Sequence, residues 1–300
     1  VSAMDKVLLV AKYKGGKSVW AQQLAQCVGS GHNFIGFNVP QPATVLYIAG
    51  EGDLDELQDR ARAMSTIIPV PRGNVHVWPI PELPFNVPKG QKLLMDTADE
   101  LRDAIGEYPR LTIFDPAYSL MIGSMKDDEA VGRFLRVVNL YQAHTNSAVV
   151  IVQHTHRVVR VEGEEIDEQS EAFFGSMLWK AWPRRVYFLK QGRGKVFEWS
   201  AAEFRRKQAF EEPIQLTMIE PYPLLFVRRV EGIDPTMATV LSLLESVKKW
   251  ETTPNIISHI AKERSAVSRA LNSLLELGLV VTKNENGATK SWASSKLGGV

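Results

Sequence analysis

The sequence predicts an α/β protein with a mainly parallel central sheet, followed by a winged helix-turn-helix. Three observations predict it. Short apolar runs alternate with amphipathic stretches through the first half of the chain, the pattern of strands joined by crossover helices. The run Val7-Leu8-Leu9-Val10 leads straight into Ala11-Lys-Tyr-Lys-Gly-Gly-Lys-Ser18 and then into a helix-forming stretch, Val19–Val28. Beyond the turn-forming Glu231-Gly-Ile-Asp-Pro235 the periodicity becomes helical and ends in a tight hairpin. The boundaries expected are therefore 1–232 for the larger domain and 233–300 for the smaller.

The first strand and helix, Val7–Val10 and Lys17–Val28, enclose a phosphate-cradling loop. Gly15 and Gly16 let backbone N–H groups approach an anion with no Cβ in the way. The opening turn of the helix adds free N–H groups and the positive end of its dipole. Lys14, Gly15, Gly16, Lys17, Ser18 and Val19 are the candidate nucleotide contacts. Lys17 is placed to reach the β- and γ-phosphates of ATP and Ser18 to ligate Mg2+. The pattern G-x-x-x-x-G-K-[ST] asks for glycine at position 11, where this chain has Ala11. An ordinary strand-to-helix turn containing Gly-Gly-Lys-Ser is the second reading.

Three later strand candidates of the first half bring polar residues to the same edge. Thr44–Ala49 leads to Glu51, a candidate general base for water; Asp53, Asp55 and Glu56 leave open a merely solvated acidic loop. The helix Asp53–Met64, the strand Val75–Pro79 and the helix Gln91–Gly106 follow. Leu111–Phe114 ends in Asp115, a candidate Mg2+ residue acting through water, or otherwise a cap before Pro116. The helix Asp128–Thr145 precedes Ala148–Val152, which ends in Gln153 and His154. Either of these could sense a γ-phosphate by hydrogen bonding. A zinc site from His154 and His156 is the rival, but no cysteine or third histidine lies nearby in sequence. Runs at Val186–Leu189, Val196–Trp199, Ile214–Ile219 and Leu224–Arg229 read as hairpins extending the sheet.

Helices at Thr236–Lys249, Asn255–Lys262 and Ser265–Leu277, with strands Leu279–Thr282 and Thr289–Ala293 about Asn284-Glu-Asn-Gly287, make the winged helix. Ile256, Ile257, Ile260 and Ala261 form one expected buried face, and Val267, Leu271, Leu274 and Leu275 the other. Arg264, Ser265, Ser268, Arg269 and Asn272 then project outward toward a DNA groove, and Lys283 and Lys290 flank the wing near phosphates. From residue 234 onward there are eight Lys or Arg against six Asp or Glu, so a winged helix used only for protein contacts stays open.

Bulk composition narrows little else. The 35 basic and 34 acidic residues of the 300 nearly balance, so any nucleic-acid surface is local. The single cysteine, Cys27, excludes an intrachain disulfide and suits packing on the first helix. No uninterrupted apolar run approaches the ~18 residues of a spanning helix and no signal peptide is visible, so no membrane and a cytoplasmic location are expected. With only ten residues before the loop, a preceding segment is expected to be missing from this sequence.

The phosphate loop, the Glu51 strand, the Asp115 strand and the Gln153-His154 strand come in the order and rough spacing of RecA-like ATPases. The chain resembles the hexameric replicative helicases of the RepA and DnaB type, within the RepA-like AAA ATPases. DnaB-type loops also tend to open with alanine. Tyr47-Ile-Ala-Gly-Glu51 is similar to that group's second-strand motif with its catalytic glutamate, and Gln153-His154-Thr155 to its sensor. Gly175-Ser176, a helix and then Arg184 resemble the RepA-type segment whose arginine acts as a finger on a neighbour's nucleotide. Lys190-Gln-Gly-Arg193 resembles the DnaB-type Lys-x-Arg finger, with one extra residue. The resemblance covers residues 1 to 230 and implies Mg-ATP at subunit junctions, a self-associated ring and single-stranded DNA in a central pore. Arg157 and Arg160 then become candidate DNA contacts, although Glu162, Glu164, Glu165, Asp167, Glu168 and Glu171 weaken a phosphate grip there; the loop Ser119–Asp128 with Lys126 is the other candidate. The carboxy-terminal stretch is similar to MarR-like winged helices. A DNA helicase motor is the leading function, an ATP-dependent DNA-binding regulator or loader the second, and a small-molecule kinase the third.

Overall fold

The computed structural model describes residues 4–79, 84–154, 175–202, 212–219, 224–229, 232–247, 249–260, 262–285 and 289–295. Six strands run parallel: β1 (Lys6–Ala11), β2 (Val45–Ala49), β3 (Val75–Pro79), β4 (Leu111–Asp115), β5 (Ala148–His154) and β6 (Arg185–Gln191). The antiparallel strands β7 (Val196–Ala201), β8 (Ile214–Ile219) and β9 (Leu225–Arg228) continue the same sheet. The spatial order is β3-β2-β4-β5-β1-β6-β7-β8-β9. This is the α/β architecture expected, with a large, mostly parallel sheet.

The central strands are apolar throughout because both faces are covered. Along β1, Val7, Leu9 and Ala11 point into the core beneath α1 (Lys17–Ser30) and α2 (Leu54–Ser65). Leu8 and Val10 point into the core on the other face, with α3 (Pro88–Ile105) and α4 (Asp128–Thr145). Cys27 lies fully buried in the first core, and burial pushes its thiol pKa far up.

The register sets the site. Ala11 pairs with His154 on one side and Leu189 on the other, and Ala49 pairs with Asp115. The carboxy-terminal ends of β1, β2, β4 and β5 therefore meet at one edge, the edge where open α/β sheets bind ligands. A 3-10 turn at Ala117–Leu120 was invisible to periodicity, and the helix that the resemblance placed between Ser176 and Arg184 is the single turn α5 (Leu178–Ala181).

The last part of the described chain contains α6 (Pro235–Val247), β10 (Glu251–Thr252), α7 (Thr253–Ile260), α8 (Arg264–Glu276), β11 (Val280–Glu285) and β12 (Thr289–Ser294). Its small antiparallel sheet has three strands, ordered β10-β12-β11, where two were expected; a two-residue strand leaves no period to read. Ile256 and Ile260 are buried, Ile257 is partly buried, and Ala261 lies outside the described residues. Val267, Leu271 and Leu274 are buried, but Leu275 is 36% exposed and Ala270 takes its place. One residue past Leu274 is a turn of ~100°, enough to carry Leu275 off the stripe.

Candidate nucleotide site

The turn from β1 into α1 closes on itself. Gly15 N–H donates to Lys12 O at 2.9 Å, and Lys14 and Gly16 adopt φ of 58° and 77°. Gly16 is the cap of α1 and no side chain bonds there, so the first-turn N–H groups are not consumed by a capping side chain. A Cβ on Gly15 would lie 2.8 Å from Lys12 O, and one on Gly16 would lie 2.7 Å from Phe226 Cζ. The cradle therefore exists only with glycine at both positions.

Lys17 is 4% exposed, and its ammonium donates to Lys12 O at 2.8 Å. Burial pulls its pKa down to about 8, with the charges of Asp115 and Glu51 opposing. Asp115 is equally buried and accepts hydrogen bonds from the Tyr47 hydroxyl and from Ser18. Burial raises its pKa, against those two donors and the cations Lys17 and Arg60. A carboxylate held dry beside a serine at a helix start is a donor set suited to a hard divalent cation.

Glu51 stands at the rim. Burial first, then the Asp115 charge, raise its pKa, while Lys17 and a hydrogen bond from Ser119 lower it. His154 Nε2 lies 3.8 Å from Glu51 Oε2. Burial, then the Lys17 charge, depress the imidazole to about 4. The ring is thus neutral at pH 7, and its approach to Glu51 is a polar contact rather than an ion pair. Tyr13 and Tyr118 lie against the same imidazole, with centroids 5.8 Å and 5.2 Å away.

These groups share a cavity of about 500 Å³, within the ~300–1,000 Å³ of small-molecule sites. Lys14, Gly15, Gly16, Lys17, Ser18, Val19, Glu51, Asp115 and His154 all line it. Glu56 of α2, which sequence reasoning left in a solvated acidic loop, also lines it, together with its ion-pair partner Arg60, which sequence reasoning missed. Val19, Leu57, Met218 and Leu224 supply apolar walls.

The other candidate residues lie elsewhere. Gln153 is buried, and it pairs with Val10 while His154 pairs with Ala11; strand alternation turns the two side chains to opposite faces. Lys190 borders a separate cavity of about 250 Å³ beside Lys12 and Tyr13. Arg193 is exposed in the turn after β6. Arg184 lies at the opposite edge of the sheet, where its N–H donates to Lys6 O and its guanidinium comes 4.0 Å from Asp5. Arg157, Arg160 and His156 fall outside the described residues. Among the described residues no three His, Cys, Asp or Glu side chains come together as a metal-binding group.

On α8, Arg264, Ser265 and Arg269 are exposed and Ser268 is half-buried. Lys283 and Lys290 are exposed on the hairpin, over the rings of Trp250 and Trp292 at 4.7 Å and 5.9 Å. Among the described residues no helix is long and apolar enough to cross a membrane.

Residues 1–158 match the sequence profile of the AAA domain family, which is more than half of the 300 residues. The chain belongs to the AAA domain family. No curated protein matches it. Among solved structures this AAA domain chain is similar to a DnaB-like replicative helicase studied with primase, at 12% identity and a TM-score of 0.56. That likeness covers 75% of this chain and 59% of the helicase, so this chain spans little more than half of that protein's length. It is also similar to the RadB recombinase, at 14% identity and a TM-score of 0.47, over 73% of this chain and 90% of that one. The helicase likeness shows the fold: this AAA domain has a RecA-like α/β core.

Proposed function

We propose that the protein is an ATP-hydrolysing RecA-fold motor, a RepA-like replicative DNA helicase that works on single-stranded DNA as a hexameric ring. The observation that carries this reading is the convergence of Lys17, Ser18, Asp115, Glu51 and His154 on one cavity at the sheet's carboxy-terminal edge. A bound Mg2+-triphosphate supplies the reactive phosphoryl group and its charge neutralisation. Gly15, Gly16 and the amides of the first α1 turn hold the phosphate oxygens, with Lys14 and Val19 alongside. Lys17 gives the cation, and Ser18 and Asp115 hold the Mg2+ side. Glu51 takes the water proton, a task its raised pKa favours. His154, neutral and dry, donates a hydrogen bond to a phosphate oxygen; Gln153, on the other face, backs the strand. Arg184, or Lys190 with Arg193, acts on a neighbour's nucleotide, which requires ring assembly.

Residues 1–232 form the motor in this reading and 233–300 a winged helix. Arg157 and Arg160 contact the single strand. The location is cytoplasmic. The likeness to the DnaB-like helicase supports the fold side of this assignment. A second reading, an ATP-dependent DNA-binding regulator or loader, is favoured by the exposed Arg264, Ser265 and Arg269 with Ser268 on α8, and by Lys283 and Lys290.

The deciding experiment measures ATP hydrolysis with and without single-stranded DNA, then strand displacement on a forked substrate. Stimulation with displacement supports the motor. Stimulation by duplex without displacement favours the regulator. Hydrolysis that survives Lys17→Ala ends both.

A further inference from the structure

The 3-10 turn Ala117–Leu120 is clamped from one side and touches the candidate chemistry on the other. Phe85 N–H donates to Leu120 O at 2.7 Å. The Asn86 carboxamide takes both backbone groups of Ile122, donating to its O at 2.7 Å and accepting from its N–H at 2.8 Å. On the opposite side, Ser119 packs beside Gly50, the residue before Glu51, with its hydroxyl on the side of the Glu51 carboxylate, and Tyr118 lies against His154. Gly50 brings the two segments together: its N–H donates to Asp115 O at 2.7 Å, and a Cβ there would sit 2.9 Å from Ser119 Cβ.

We propose that Ser119 is a positioning residue for Glu51, fixing the direction of its carboxylate from a turn that Asn86 holds rigid. The inference rests on reading Glu51 as the general base. Glu51 needs such a partner. It stands between Gly50 and Gly52, the latter at φ 81°, and its side chain is 42% exposed. A glutamate in that setting has many rotamers open to it, and a base must point one way to be useful. A serine suits the task because its single proton engages the carboxylate and leaves lone pairs for the water. The turn cannot follow the glutamate if it drifts, because Phe85 and Asn86 tie it to the start of α3. Ser119 therefore acts on turnover through Glu51 and leaves the phosphate cradle alone.

A double-mutant cycle tests this on the full chain, comparing wild type, Ser119→Ala, Glu51→Gln and the double variant. Steady-state and single-turnover ATP hydrolysis are measured, together with MgADP affinity from a fluorescent analogue. Ser119→Ala is expected to slow hydrolysis about 10- to 100-fold, the scale of a misaligned catalytic group, with MgADP affinity within 2-fold of wild type. In the Glu51→Gln background the same change should cost less than 2-fold, since the group it orients is gone. Ser119→Thr should restore most of the rate. Equal slowing in both backgrounds overturns the proposal, as does a fall in MgADP affinity that parallels the fall in rate. Wild-type turnover by Glu51→Gln has a different meaning: the base assignment itself fails, and the positioning role goes with it.

Discussion

Gln23 and Phe226 exchange two hydrogen bonds across 203 residues of sequence. The Gln23 carboxamide donates to Phe226 O at 2.8 Å and accepts from Phe226 N–H at 2.7 Å. Phe226 belongs to β9, which among the described residues is the edge strand of the large sheet. The glutamine completes that edge from α1. Its position sets the phosphate loop, because the Phe226 ring then lies under Gly16 and meets Phe197 edge-on at 5.0 Å. The floor of the nucleotide cradle is thus built by the last strand of the sheet, well beyond the residues that carry the family match.

Phe226→Ala should cost about 3–5 kcal/mol, the range for removing a buried phenyl group. It should also weaken MgADP binding by more than an exposed substitution such as Leu140→Ala. Urea denaturation and nucleotide titration check both parts. Unchanged nucleotide affinity in a folded Phe226→Ala protein would show that the ring packs under the loop without shaping it.

Gly16→Ala tests the same contact from above. The residue sits at φ 77°, where an L side chain is strained, and its Cβ would meet Phe226 Cζ at 2.7 Å. Strain of about 1–3 kcal/mol is expected, read as a lower Tm, and nucleotide binding should fall with it. The double variant Gly16→Ala/Phe226→Ala should be less than additive, because the second change removes the clash created by the first.

His154 predicts a pH dependence of stability. Its folded pKa, about 4, lies below the ordinary 6.5. The unfolded chain therefore binds the proton more tightly, so this contribution is complete above pH 6.5 and is lost as pH falls through 4. Wild type and His154→Gln compared in urea at pH 7.5 and pH 4.5 should differ in how much stability each loses, with the variant losing less. Equal losses would mean that the imidazole titrates normally between its two tyrosines.

The parallel sheet and the phosphate loop were legible because apolar runs, glycines and a Lys-Ser pair are local signals. So was the edge carrying Glu51, Asp115 and His154, since each apolar strand simply runs out into a polar residue there. What was illegible is tertiary. Nothing near Gln23 in sequence announces Phe226, and nothing near Ser119 announces Glu51. The one-turn elements Ala117–Leu120 and Leu178–Ala181 are too short for any period to show. Leu275 passed for a core residue beside Leu274, although one helical step of ~100° carries it off the buried stripe. Gln153 and His154 read alike as strand-end polar groups, but strand alternation sends them to opposite faces, and only the packed structure shows that the His154 face is the one that lines the cavity.

Arg184 gives the sharpest test of assembly. It lies at the edge of the sheet opposite its own cavity, 54% exposed, with Asp5 as a near neighbour. It does not line its own cavity, so the finger role proposed for it requires an adjacent subunit. Arg184→Ala and Lys17→Ala should each be nearly inactive alone, the first for lack of a finger and the second for lack of the phosphate cation. Mixed in equal amounts and allowed to exchange subunits, they should recover hydrolysis. About one junction in four then pairs an intact loop with an intact arginine, as random head-to-tail assembly requires. A mixture as inactive as its parts would remove Arg184 from the reaction. The same mixing with Lys190→Ala and Arg193→Ala would then show whether the other end of β6 reaches across instead.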